Sequence, residues 1–91
     1  MKKRIKMIIS GYRLSRHAEK RLQARQEIKV EWIEKAIQNP LFFKEMSNDE
    51  WHFYRNIEEF NNKVLKVVVN PQKEIIITVL FDRRMKYEDR L

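Results

Sequence analysis

Seven consecutive residues, Ile75-Ile76-Ile77-Thr78-Val79-Leu80-Phe81, constrain this chain more than any other feature. A strand sends successive side chains to opposite faces, and here both faces are apolar. The run therefore predicts a central strand with neighbours on either side. Those neighbours are visible upstream. Lys63 to Val69 precedes the run across Asn70-Pro71-Gln72-Lys73, with Pro at the second turn position it favours, so the second of the pair spans Glu74 to Phe81. Phe42 to Met46 and Trp51 to Arg55 flank the turn-prone Ser47-Asn48-Asp49, a hairpin pattern. At the start of the chain, Ile5, Met7 and Ile9 alternate within Arg4 to Ile9, which predicts a first strand, and Gly11 allows a turn after it.

Two helices fit between that first strand and the hairpin. Ser15 is a good N-cap, preceded by Leu14 and followed by helix-forming residues to about Gln26. A second helix runs from about Lys29 to Asn39, with Val30, Ile33, Ala36 and Ile37 as its buried stripe and Trp32 on the flank. Pro40 ends it, because the residue before proline avoids helical geometry. The basic tail from Asp82 to Leu91 is expected to form a short helical turn. The order β-α-α-β-β-β-β predicts an α+β fold: two N-terminal helices packed on a mostly antiparallel sheet of four to five strands.

The 91 residues suit one domain, 1–91, which at this size buries only about 60–65% of its unfolded surface. A hydrophobic content of 43% and a single Gly describe a globular chain without low-complexity segments. The absence of Cys excludes disulfides, a thiol nucleophile and thiolate metal clusters, and two His alone do not build the usual zinc site, so no cofactor or metal is expected. Lys2, Lys3 and Arg4 before Met7-Ile8-Ile9 mimic a signal peptide, but that apolar run is far shorter than the roughly 7–15 residues an h-region needs. No stretch reaches the roughly 18–20 apolar residues of a membrane span, so a soluble, cytoplasmic protein is expected.

Charge is distributed unevenly. Residues 1–25 hold nine basic groups and one acid, Glu19, for a net of +8, whereas residues 26–82 carry −3 and residues 83–91 carry +2. If the two ends meet in space they form one positive face of the kind that attracts phosphate backbones. The alternative is a basic surface with its charges scattered. The first predicted helix is more specific. At about 100° per residue, His17, Arg21 and Arg25 fall on the same side as Ala18 and Leu22, while Arg16, Glu19, Lys20 and Gln23 face elsewhere. Arg21 and Arg25 could pair with Glu31, Glu34 or Asp82, with His17 capping or packing. Equally, guanidinium groups beside an imidazole suit phosphate chemistry: Arg holds phosphoryl oxygens bidentately and His moves a proton near neutral pH.

Two further clusters stand out. In Trp51-His52-Phe53-Tyr54-Arg55, alternation puts Trp51, Phe53 and Arg55 on one strand face and His52 and Tyr54 on the other. Arg83-Arg84-x-x-Tyr87 directly follows the central strand, where Arg and Tyr would suit RNA phosphate and base stacking or would simply form a solvated tail. A glycine-rich phosphate loop, a paired-His helix and a nucleophile elbow are all lacking, and Glu58-Glu59 falls in a polar loop.

The pattern Leu14-Ser15-x-His17-Ala18-x-x-Arg21-x-x-x-Arg25, followed by Ile28, Glu31, Ile33, Ala36, Ile37 and Asn39-Pro40, resembles a small bacterial family with a His-Ala-x-x-Arg helix. Ile76-Ile77-Thr78-Val79 matches the Val-Val-Thr-Val-like strand of that family, so the resemblance covers most of residues 14–81. Gln26-Glu27 stands where the family usually has Gly, and Lys29 replaces its Ser/Thr cap. Such domains are similar to the RelE/ParE-like toxin superfamily, including BrnT-type ribonuclease toxins. The resemblance implies two helices on an antiparallel sheet, metal-independent RNA cleavage and neutralisation by an antitoxin protein.

On that basis His17 is the expected proton carrier, Arg21 and Arg83 the groups that stabilise phosphoryl charge, and Tyr87 an orienting or stacking residue. Lys20, Arg25, Arg55 and Arg84 are expected to hold the RNA backbone. The competing expectations are a non-catalytic module that binds RNA or a protein, and an interaction subunit that docks a partner strand through its acidic middle or the Trp51 hairpin edge. The residues leave oligomeric state open.

Overall fold

A computed structural model describes residues 7–86. The chain opens with a two-residue strand, β1 (Ile8–Ile9), which turns back on β2 (Tyr12–Leu14). Ser10 at φ 52° and Gly11 at φ 89° supply the two left-handed positions that a tight type I′ hairpin turn demands. Helices α1 (Arg16–Ala24) and α2 (Val30–Gln38) follow, then β3 (Phe42–Ser47), β4 (Glu50–Ile57), a 3-10 turn at Glu58–Phe60, β5 (Lys63–Asn70) and β6 (Ile75–Lys86). The strands form one six-stranded sheet in the order β1-β2-β6-β5-β4-β3. All neighbours are antiparallel except β2 and β6, which run parallel through Arg13 opposite Ile75 and Leu14 opposite Ile76.

The α+β class and the central position of Ile75–Phe81 hold. The sheet, however, has six strands and is mixed, and two short strands precede the helices. The strand β2 carries no alternation long enough to show in the sequence, and it exists because its partner β6 lies far along the chain. Of the tail expected to form a helical turn, Asp82 to Lys86 is instead strand, because β6 continues to Lys86 with its register against β5 shifted between Phe81 and Lys86; residues 87–91 lie outside the described residues. Helix α1 stops at Ala24 rather than Gln26.

Both helices pack on one face. Ala18 from α1 and Trp32, Ile33 and Ala36 from α2 close over Phe53, Ile57, Leu65, Val67, Val69, Ile76 and Val79. Trp32 is thus central to the buried stripe rather than flanking it, and Val30 and Ile37 are only partly buried. Its ring meets Phe60 at 5.6 Å and Phe81 at 6.3 Å, while the indole Nε1 donates to Glu59 Oε2 at 3.0 Å. Burying the apolar body while pairing the one polar atom is how a core holds a Trp. That bond and the backbone hold the Glu59 carboxyl below its usual pKa: its own backbone N–H acts most strongly, then Trp32, then Lys35 and Lys29. At the other end of the molecule, burial and, less strongly, Glu74 raise the Tyr12 hydroxyl.

The opposite face has its own polar order. His52, Tyr54 and Asn56 are buried there, as alternation predicts, away from Trp51 and Phe53. His52 Nε2 lies 2.7 Å from Glu50 Oε2, Asn56 Nδ2 donates to Asn62 Oδ1, and Lys66 stands over the Tyr54 ring. No helix among the described residues is long and apolar enough to cross a membrane.

Candidate nucleic-acid interface

The chain reaches α1 from β2, and Ser15 fixes the junction. Its backbone N–H donates to the Ile76 carbonyl at 3.0 Å, its Oγ accepts from Ala18 N–H at 3.0 Å, and the same Oγ donates to the Ile77 carbonyl at 2.8 Å. One hydroxyl therefore caps the helix and ties it to β6. Ala18 is fully buried, so the helix lies close on the sheet, across β2 and β6.

This seating decides which side chains reach solvent. Arg16, His17 and Lys20 are exposed, and Arg21 is half-buried at the boundary. The expectation that His17 shares the apolar side is corrected: Ala18 and Leu22 define the inward direction, and His17 lies about 100° and 140° away from them around the helix. Arg16 and Lys20, read from the sequence as facing elsewhere, share the solvent-facing strip with it. Among these cations, Arg16 was not expected at a site, and its only sequence signal is its place in the first turn.

Arg21 and Arg25 follow His17 at helical spacing, each one turn further on, with Cβ atoms about 5–6 Å apart. Their guanidinium groups are in different states. Arg25 Nε donates to Glu27 Oε2 at 2.9 Å, an exposed ion pair with a partner that was not among the expected ones. The Glu27 carboxyl is held below its usual pKa, first by its own backbone N–H and then by Arg25. Arg21 has no such partner among the described residues. Its Nε is buried, and no group among the described residues accepts a hydrogen bond from it.

The remaining expected site residues divide. Arg83 and Arg84 are exposed on the far part of β6, where the register shifts, and Asp82 Oδ1 accepts from the Arg84 N–H at 2.9 Å. Arg55 does not join them. It stands on β4 beneath the end of α2, where Nη1 donates to the Asn39 carbonyl at 3.3 Å, so it serves the helix C-terminus. Tyr87 lies outside the described residues. The structure thus gathers Arg16, His17, Lys20 and Arg21 on one helix over β6, the strand that carries Arg83.

Residues 14–81 match the family described as a domain of unknown function (DUF4258). The chain belongs to this family. No curated protein and no solved structure matches it. The DUF4258 match begins at Leu14, one residue before the Ser15 cap, and encloses all of α1. It ends at Phe81, so Arg83, Arg84 and Tyr87 lie beyond it.

Proposed function

We propose that this DUF4258 chain is a toxin-like, metal-independent endoribonuclease with a RelE/ParE-like fold, working on RNA and held in check by an antitoxin protein. The observation that carries the reading is Arg21: a half-buried guanidinium with an unpaired donor, one helical turn from an exposed imidazole and beside Arg16 and Lys20. A guanidinium holds phosphoryl oxygens through charge-assisted hydrogen bonds, and that is the use proposed for Arg21. In the proposed reaction a ribose 2′-hydroxyl attacks the adjacent phosphorus as the bond to the 5′-oxygen breaks. His17 accepts the 2′-hydroxyl proton and returns one to the departing 5′-oxygen, leaving a cyclic phosphate. Arg21 and Arg83 stabilise the charge that develops on the phosphoryl oxygens.

A second reading, RNA binding without cleavage, is favoured by one observation. The His17 ring makes no hydrogen bond with a described residue, so no neighbouring group orients it. Purified protein incubated with single-stranded RNA separates the two. Cleavage that falls by about 10²–10³ in Arg21→Met and is lost in His17→Ala, with both variants folded by circular dichroism, supports the ribonuclease. Salt-sensitive binding with intact RNA supports the second reading. A folded wild type that neither binds nor cleaves overturns both.

A further inference from the structure

The sheet face turned away from the helices carries a cluster that the proposed reaction does not use. On β4, His52 is 7% exposed and Tyr54 5% exposed, deep enough that polar atoms need partners. The His52 ring is matched at one nitrogen only. Nε2 lies 2.7 Å from Glu50 Oε2, and Nδ1 meets no hydrogen-bonding group among the described residues. A carboxylate can only accept, so in the neutral ring Nε2 carries the proton and Nδ1 keeps a lone pair. Glu50 thereby holds the ring ready to accept a hydrogen bond from another donor.

Two cations flank it on the neighbouring strands. Lys44 of β3 stands directly opposite His52, which sets the two Cβ atoms about 4.5–5.5 Å apart. Lys66 of β5 stands opposite Tyr54, with Nζ 5.7 Å from the centre of the Tyr54 ring, and that ring is 6.4 Å from the His52 ring. Neither lysine has a carboxylate partner among the described residues. Two strands along the same face, level with His52 through Val68, Thr78 Oγ1 is buried without a hydrogen-bond partner among the described residues.

A bare anion here would set negative charge against the Nδ1 lone pair, and an amine would meet two ammonium groups. A ligand with a hydroxyl beside an anionic group satisfies both, because the hydroxyl donates to Nδ1 while the anion takes the lysines. Two cations match a phosphate monoester, which carries about −1.5 to −2 at neutral pH, better than a single carboxylate. From β4 to β6 the unmatched atoms spread over about 10 Å, the reach of a nucleotide rather than of free phosphate.

We infer that this face binds a ribonucleoside 3′-phosphate, free or at the end of an RNA chain. Lys44 and Lys66 hold the phosphate, the neighbouring 2′-hydroxyl donates to His52 Nδ1, and Glu50 is the positioning residue. The site lies on the sheet face opposite the one that α1 covers and does not depend on the ribonuclease reading.

Nitrogen-15 NMR of the two histidine rings, with calorimetry, follows titration by adenosine 3′-phosphate, its 2′-deoxy analogue and a short oligoribonucleotide ending in a 3′-phosphate. Before ligand is added, the His52 ring should show the Nε2–H tautomer, which Glu50→Leu, folded by circular dichroism, turns into a mixture. Adenosine 3′-phosphate should shift His52 Nδ1 saturably and leave His17 unmoved. The deoxy analogue should bind about 10-fold more weakly, the value of one hydrogen bond, and Lys44→Met/Lys66→Met should abolish binding. Equal binding of nucleotide and oligonucleotide supports the site and assigns it to RNA ends. Binding of the nucleotide alone supports it and assigns it to free nucleotides. No saturable shift at His52 overturns the site, as does a shift at His17 in its place. So do equal affinity for the deoxy analogue and unchanged affinity without the two lysines.

Discussion

Neutralising Arg21 and Arg25 one at a time, as Arg21→Met and Arg25→Met, distinguishes a cation free to meet phosphate from one already engaged. Four basic groups on the proposed face have no carboxylate partner among the described residues: Arg16, Lys20, Arg21 and Arg83. Each phosphate neutralised on a single strand contributes about −0.7 to the slope of log K against log salt, so four contribute about −3. Raising KCl from 50 to 200 mM should then weaken wild-type binding roughly 50-fold, and that of Arg21→Met only about 20-fold. Arg25 sits 2.9 Å from Glu27, which cancels its charge locally, so Arg25→Met should leave the slope unchanged. Glu27→Gln releases Arg25 and should steepen the slope by about 0.7. The assay is fluorescence anisotropy of a labelled single-stranded RNA across that salt range. An unchanged slope in Arg21→Met together with a reduced one in Arg25→Met would refute the reasoning, because the paired guanidinium would then be the one that meets RNA.

Two further outcomes test the scaffold. Ser15→Ala removes the α1 cap and its bond to Ile77, at a cost of about 1–2 kcal/mol, which for a domain of this size lowers Tm by roughly 5–15 °C in calorimetry. Ser15→Thr, which keeps the hydroxyl, should recover most of that loss. Glu59 has its folded pKa depressed, so the stabilisation it gives is complete above the ordinary carboxylate value of about 4.3 and disappears as pH falls through its lower folded value. An NMR titration should place the Glu59 midpoint below that of exposed glutamates and move the Trp32 indole resonance with it. A midpoint at the ordinary value or above would contradict the Trp32 bond.

The sequence displayed what is local. Ser15 as a cap, Pro40 as a stop, the Asn70-Pro71 turn and the two faces of Trp51–Arg55 each depend on residues within a few positions, and the structure keeps all of them. What depends on distant partners was hidden. Tyr12–Leu14 is strand only because β6 lies beside it, and β6 extends past Phe81 because Lys86 pairs with Lys63 of β5 beyond a register shift. The candidate site divides in the same way. Helical spacing put His17, Arg21 and Arg25 in one column, but the engagement of Arg25 by Glu27 depends on where the chain turns after Ala24. Arg55 looked like one more surface cation until α2 was seen to end above it.

The parallel join between β2 and β6 also governs the order in which this molecule can come apart. From β3 to β6 each strand reaches its neighbour through a short turn, so that meander can assemble from nearby pieces. The join instead closes a span of 62 residues between Ser15 and Ile77. Closing that span costs more chain entropy than any of the short turns, and the three-residue β2 offers few hydrogen bonds in return. The arm that bears His17, Lys20 and Arg21 should therefore open before the meander does, which would show as faster amide exchange in α1 than in β4 and β5. The residues proposed to meet RNA ride on that arm, and a ligand that spans α1 and β6 would hold it against the sheet.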